Sequence, residues 1–110
     1  MTRIRLLIAA AVCSWTPYAA ANDDWQAKAL DAVRAEPQVV EAMFTGTSSF
    51  WASMPDNGSD RRGYAQFLCT TLMLQGMPVG DFYVIRVFDS AAMARNEMAE
   101  IGRFDCERTG

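Results

Sequence analysis

Histidine is absent from the 110 residues, and cysteine is scarce at three. Without imidazole the chain lacks the commonest general acid–base group and the commonest metal ligand. Zinc sites built on His-Glu-x-x-His or on paired Cys-x-x-Cys are excluded by the same composition. No Gly-x-Ser-x-Gly elbow and no glycine-rich nucleotide loop occurs. Nor does any apolar run reach the roughly 20 residues that cross a bilayer. Lys and Arg form no block of the kind phosphate backbones require. These gaps argue against an enzyme, against nucleic acid as a partner, and against any cofactor. Carboxylate chemistry is the one catalytic route left, on Asp56, Asp60, Asp81 and Asp89 near expected strand ends. Turn formation and helix capping suit Asp at those positions and explain them more simply.

What the chain does have begins at its first residues. Arg3 and Arg5 precede the apolar stretch Leu6–Val12, and Ala19, Ala20 and Ala21 supply small residues for cleavage. The pattern predicts an export signal over residues 1–21 and a single small domain over 22–110. Stable membrane insertion is not expected once the signal is gone. Losing Arg3 and Arg5 leaves eight of the ten basic residues against thirteen acidic ones, a net of −5. That acidity favours solubility.

Cys13 departs with the signal, so Cys69 and Cys106 remain as an even pair in an exported domain. Such a pair predicts a structural disulfide and a periplasmic or secreted location. The scattered methionines, Met43, Met54, Met73, Met77, Met93 and Met98, lack a Met-x-Met pattern. Core filling accounts for them better than copper binding, so no metal site is predicted.

Along the chain, Asn22-Asp23-Asp24 caps a helix whose apolar positions Trp25, Ala29 and Val33 recur at helical spacing. Pro37 ends it and can open a second helix over 37–45, stopped by Gly46; a strand is the alternative there. Residues 47–54 alternate as a strand, and 55–60 form a dense turn signal. A helix follows, carrying Tyr64, Phe67, Leu68 and Leu72, and Gly76 with Pro78 terminates it. Residues 82–88 are the most strand-like run, being almost wholly aromatic or β-branched. Asp89-Ser90 then caps a last helix with Ala91, Ala94, Met98 and Ile101 inward, closed by Gly102. Phe104 and Cys106 alternate as if on a third, edge strand. The predicted fold is α/β, or a small α+β variant. Its order is α-α-β-α-β-α, with helices covering a two- or three-stranded sheet and one disulfide.

Three groups of residues are candidates for a site. The loop 56–63 leaves a strand and enters a helix N-terminus, where free amides attract anions. Gly58, Ser59, Arg61 and Arg62 would form an anion or carboxylate site there. Arg86 interrupts an apolar strand, so it must reach solvent, pair with a carboxylate, or floor a ligand pocket. Phe50 and Trp51, if exposed, would anchor a protein partner. A domain of this size has little room for both a full core and a deep pocket. The expected function is therefore that of a disulfide-stabilised accessory domain binding a protein, of the inhibitor, immunity or envelope-assembly type. A small-anion binder using 56–63 is the alternative.

Overall fold

In the computed structural model, which describes residues 24–110, helix α1 runs Asp24–Arg34. The expected signal and its cleavage point lie outside the described residues. Asp24 in the first turn and Arg34 in the last complement the helix dipole. Ala29 and Val33, one turn apart, are fully buried.

The chain then forms strand β1, Glu41–Thr45, rather than a second helix. Val39-Val40 and Met43-Phe44 stand four apart, which suits a helix, but Ala42 in and Met43 out is the two-residue alternation of a strand. The neighbouring strand decides between them, because it fills the backbone hydrogen bonds of this stretch. Gly46, at φ 65°, turns the chain into strand β2, Ser49–Met54, antiparallel to β1.

Helix α2, Arg62–Leu74, crosses to strand β3, Phe82–Asp89, which lies parallel to β2. The last expected helix is cut short. Helix α3 covers only Ser90–Ala94, capped by the Asp89 carboxylate on the Ala91 amide at 3.2 Å. Asn96 then turns through φ 64°, a conformation its short polar side chain tolerates. Strand β4, Glu100–Glu107, returns antiparallel to β3, so Ile101 and Gly102 belong to a strand.

The described residues form a small α+β domain with a mixed sheet in the order β1-β2-β3-β4 and three helices. Its four strands exceed the two or three expected, because β1 and β4 add to the central β2–β3 pair.

The sheet has two unlike faces. Helices α1 and α2 cover one, over Ala42, Phe50, Ala52, Met54, Tyr83, Ile85 and Val87. Trp25, Phe44, Phe50 and Tyr83 meet there edge to face, with centroids 4.8–5.7 Å apart. Among the described residues α3 alone packs on the opposite face, against β2 and β3. Cys69 on α2 and Cys106 on β4 form the disulfide, with Cα atoms 5.5 Å apart across 37 residues of chain. Both are buried, and the Cys106 sulfur lies 3.9 Å from that of Met77. The bond therefore ties the tail of the sheet to its crossover helix from inside the core.

Gly102 joins the same two elements by close approach. A Cβ there would stand 2.5 Å from both the carbonyl carbon and oxygen of Arg61. Its neighbour Ile101 accepts the Arg61 amide at 2.8 Å, so the start of α2 rests directly on β4.

Candidate functional site

Within the loop 56–63 the Asp and Asn side chains accept from the loop's own amides. Asp56 accepts from the Gly58 amide at 2.8 Å, and Asn57 accepts from both the amide and hydroxyl of Ser59. Asp60 accepts from the Arg62 amide at 2.9 Å, acting as the cap that Arg61 does not supply. The two arginines diverge. Arg61 donates to the Gln38 side chain and the Pro55 carbonyl at 3.1 and 3.0 Å, while its Nε is shut from solvent without an acceptor. Arg62 lies over the Phe104 ring, 5.7 Å from its centroid. Gly58, Ser59, Arg61 and Arg62 thus share a loop without converging on one point.

Arg86 lies on the sheet face turned away from α1 and α2. Its Nε donates to Glu100 at 2.6 Å, and Arg103 comes within 3.8 Å of the same carboxylate. The guanidinium also covers Phe88 and Trp51, at 5.0 and 5.7 Å from their centroids. Of the three fates open to a charge in this strand, pairing with a carboxylate is the one adopted. Aromatic faces beneath the cation strengthen the arrangement.

Phe50 and Trp51 point to opposite faces. Phe50 has no exposed surface and belongs to the core, so it is not a contact for a partner. Trp51 is half-buried, packs against Phe88 at 5.1 Å, and donates its indole N–H to Ser49 at 3.0 Å. Strand register sets Met43, Trp51, Arg86 and Arg103 side by side in one row across all four strands. Met43 and Phe82 on this face remain 45% and 41% exposed, which leaves an amphipathic surface with a partly covered Trp at its centre.

Enclosed space is small on this face. Between Trp51, Met43 and Met93 lies an apolar slot of about 30 Å³, enough for about two waters and no larger ligand. Larger hollows of about 200 and 330 Å³ lie along β4 and α2. Among the described residues no group of three or more His, Cys, Asp or Glu is placed to hold a metal ion.

Two ionisable groups depart from ordinary behaviour, and they stand apart. The Glu41 carboxyl is held below its usual range by the Ala42 amide first and by Arg34 second. Burial pushes the Tyr64 hydroxyl up, aided by the negative charge of Glu36. That hydroxyl is enclosed without a hydrogen-bond partner. Glu41 is paired with the Arg34 guanidinium at 3.1 Å, and the charges that act on Tyr64 come from Glu36 and Arg61.

Sequence reasoning missed the β4–α2 groove, because the expected last helix takes in the start of β4 as far as Gly102. The alternation of Phe104 and Cys106 was the one signal that pointed to it. Comparison of the chain with protein-family models, with curated proteins and with solved structures gave no match.

Proposed function

We propose that the chain is an exported, disulfide-stapled accessory domain that binds a protein partner through its surface. The observation that carries this reading is the exposed row on the sheet's second face. There Met43, Trp51 and Arg86 lie in register, with Phe82 accessible on the same face. Trp and Arg are the side chains that most often dominate binding energy at interfaces, and an apolar body with a polar tip suits a surface that must also face water. The Arg86–Glu100 pair holds this row in place, so an incoming partner meets a preorganised surface.

Export is supported by the buried Cys69–Cys106 bond, which persists in oxidising compartments. Among the described residues no helix is long and apolar enough to cross a membrane. An inhibitor, an immunity factor and an envelope-assembly subunit all fit a rigid binding domain of this kind.

Affinity capture from a cell-envelope extract, with the oxidised chain as bait, tests the reading. A stoichiometric partner is expected, and Trp51→Ala should lower its recovery about tenfold or more, as for a central interface residue. Failure to recover any stoichiometric partner refutes it.

A further inference from the structure

We propose that the outer edge of β4, with the groove between it and α2, receives an extended segment of the partner protein as a fifth strand. This rests on the protein-binding reading above and names the surface and the chemistry of the segment it takes. The two edges of the sheet are treated differently. On β1 the Ala42 amide donates to the Glu41 carboxylate at 2.7 Å, and the Ala42 carbonyl accepts from Arg34 at 2.9 Å. Side chains thus occupy the middle of that edge, a common way of blocking strand addition.

On β4 only one end is closed, where Ile101 accepts the Arg61 amide. Farther along, the Arg108 amide points inward to the Asp81 carbonyl at 3.1 Å. Alternation along an antiparallel strand then turns the N–H and C=O groups of Arg103, Asp105 and Glu107 outward. Among the described residues no strand pairs with them.

Beside this open edge the two hollows of about 200 and 330 Å³ share Phe104 and Asp105 as a common wall. Arg62 and Arg103 line the first; Gln66, Thr70 and Met73 line the second next to Cys69. Side chains two apart on a strand are separated by about 7 Å and point the same way. Alternate residues of an added strand would therefore descend on either side of Phe104. On the opposite face Arg103, Asp105 and Glu107 present the charges plus, minus, minus. Opposite charges across paired strands attract and like charges repel. The matching segment carries an acid facing Arg103 and basic residues facing Asp105 and Glu107, with β-branched residues between them turned toward α2.

A second copy of the chain fits less well. Antiparallel pairing about Asp105 sets that carboxylate against itself. Pairing about Phe104 runs the copy's Glu107 into Ile101, whose carbonyl Arg61 already holds.

The test is a titration of the ¹⁵N-labelled, oxidised chain with acetyl-Lys-Val-Lys-Val-Glu-amide. Acetyl-Glu-Val-Lys-Val-Lys-amide serves for parallel addition, and the charge-swapped control is acetyl-Glu-Val-Glu-Val-Lys-amide for the antiparallel peptide or acetyl-Lys-Val-Glu-Val-Glu-amide for the parallel one. One of the first two should shift the amides of Arg103, Asp105 and Glu107 and slow their hydrogen exchange, leaving β1 unmoved. The control should bind about tenfold more weakly, from three exposed pairs each worth roughly twofold. Asp105→Pro, which removes an outward donor at an edge that tolerates proline, should abolish the effect while the remaining amide spectrum is kept. Unmoved β4 amides, or equal affinity for the control, overturn the proposal. Concentration-dependent shifts of the same amides without peptide overturn it too, by giving the edge to a second copy. Repeating the envelope capture with Asp105→Pro separates this idea from its parent. A partner held equally by the variant sinks the β4 assignment and spares protein binding, whereas no partner for either bait sinks the parent reading.

Discussion

Replacing Gly102 by Ala is the sharpest probe of how this domain is assembled. The added methyl group would meet the carbonyl carbon and oxygen of Arg61 at 2.5 Å, where ordinary contact begins at 3.4 Å. A shortfall of nearly 1 Å cannot be absorbed by a flexible side chain, because the obstruction is backbone held at both ends. The Arg61 amide donates to Ile101 at 2.8 Å, and its carbonyl accepts from Ala65 at 2.9 Å as the first turn of α2. Relieving the clash means lifting that turn off β4. Overpacking of this kind costs about 1–3 kcal/mol, and a lost hydrogen bond adds about 1 kcal/mol. The expected loss is therefore about 2–4 kcal/mol, read from urea denaturation of the oxidised protein. Amide exchange at Arg61 should accelerate in the same variant. Gly58→Ala is the control: its φ is 87°, but nothing lies within 4 Å of the new methyl group. Backbone strain alone should then cost about 1 kcal/mol. A Gly102→Ala variant within about 0.5 kcal/mol of the parent, or no worse than Gly58→Ala, would refute the packing of α2 on β4.

Two further outcomes are expected. Removing the disulfide as the pair Cys69→Ala and Cys106→Ala should cost about 4 kcal/mol in the chain-entropy model for a 37-residue separation. Equilibrium unfolding measures it, and a change below about 1 kcal/mol would contradict a structural role. The second outcome concerns acid. Because Glu41 titrates below its ordinary 4.5 in the folded chain, its contribution is present above pH 4.5 and is lost as pH falls through the lowered value. Glu41→Gln should therefore lower the melting temperature at pH 7, with the gap closing as the solution is acidified below 4.5. A gap that stays constant with pH would show that Glu41 does not hold the β1 edge through its charge.

Much of this architecture could be read without coordinates. Helices α1 and α2 each carry apolar residues at helical spacing between recognisable stop signals. Strand β3 is so rich in aromatic and β-branched residues that no competing structure suits it. A helix between two strands is compatible with the parallel β2–β3 pair, but the pairing itself was settled by the fold. The Cys69–Cys106 bond followed from counting the two cysteines left once an export signal is expected to remove Cys13. The candidate residues fared unevenly. Arg86 could reach solvent, pair with a carboxylate or floor a pocket, and the structure pairs it with Glu100. Yet nothing within 47–54 distinguished Phe50, in the core, from Trp51, on the second face.

Both misread stretches were ambiguous by period. Residues 39–44 repeat at a spacing of four that helices and strands share. Residues 91–101 offer alanine and methionine at helical intervals, and alternation begins only beyond them, at Phe104 and Cys106. In each case the choice belonged to a neighbour in space. β2 supplies backbone partners for β1 and β3 for β4, while the disulfide ties β4 to α2. Spacing along the chain encodes which residues of an element share a face. Which strands stand side by side, which edge stays open, and which glycine must lie flat against a helix depend on hydrogen bonds and contacts between segments far apart in sequence, and those were decided only on folding.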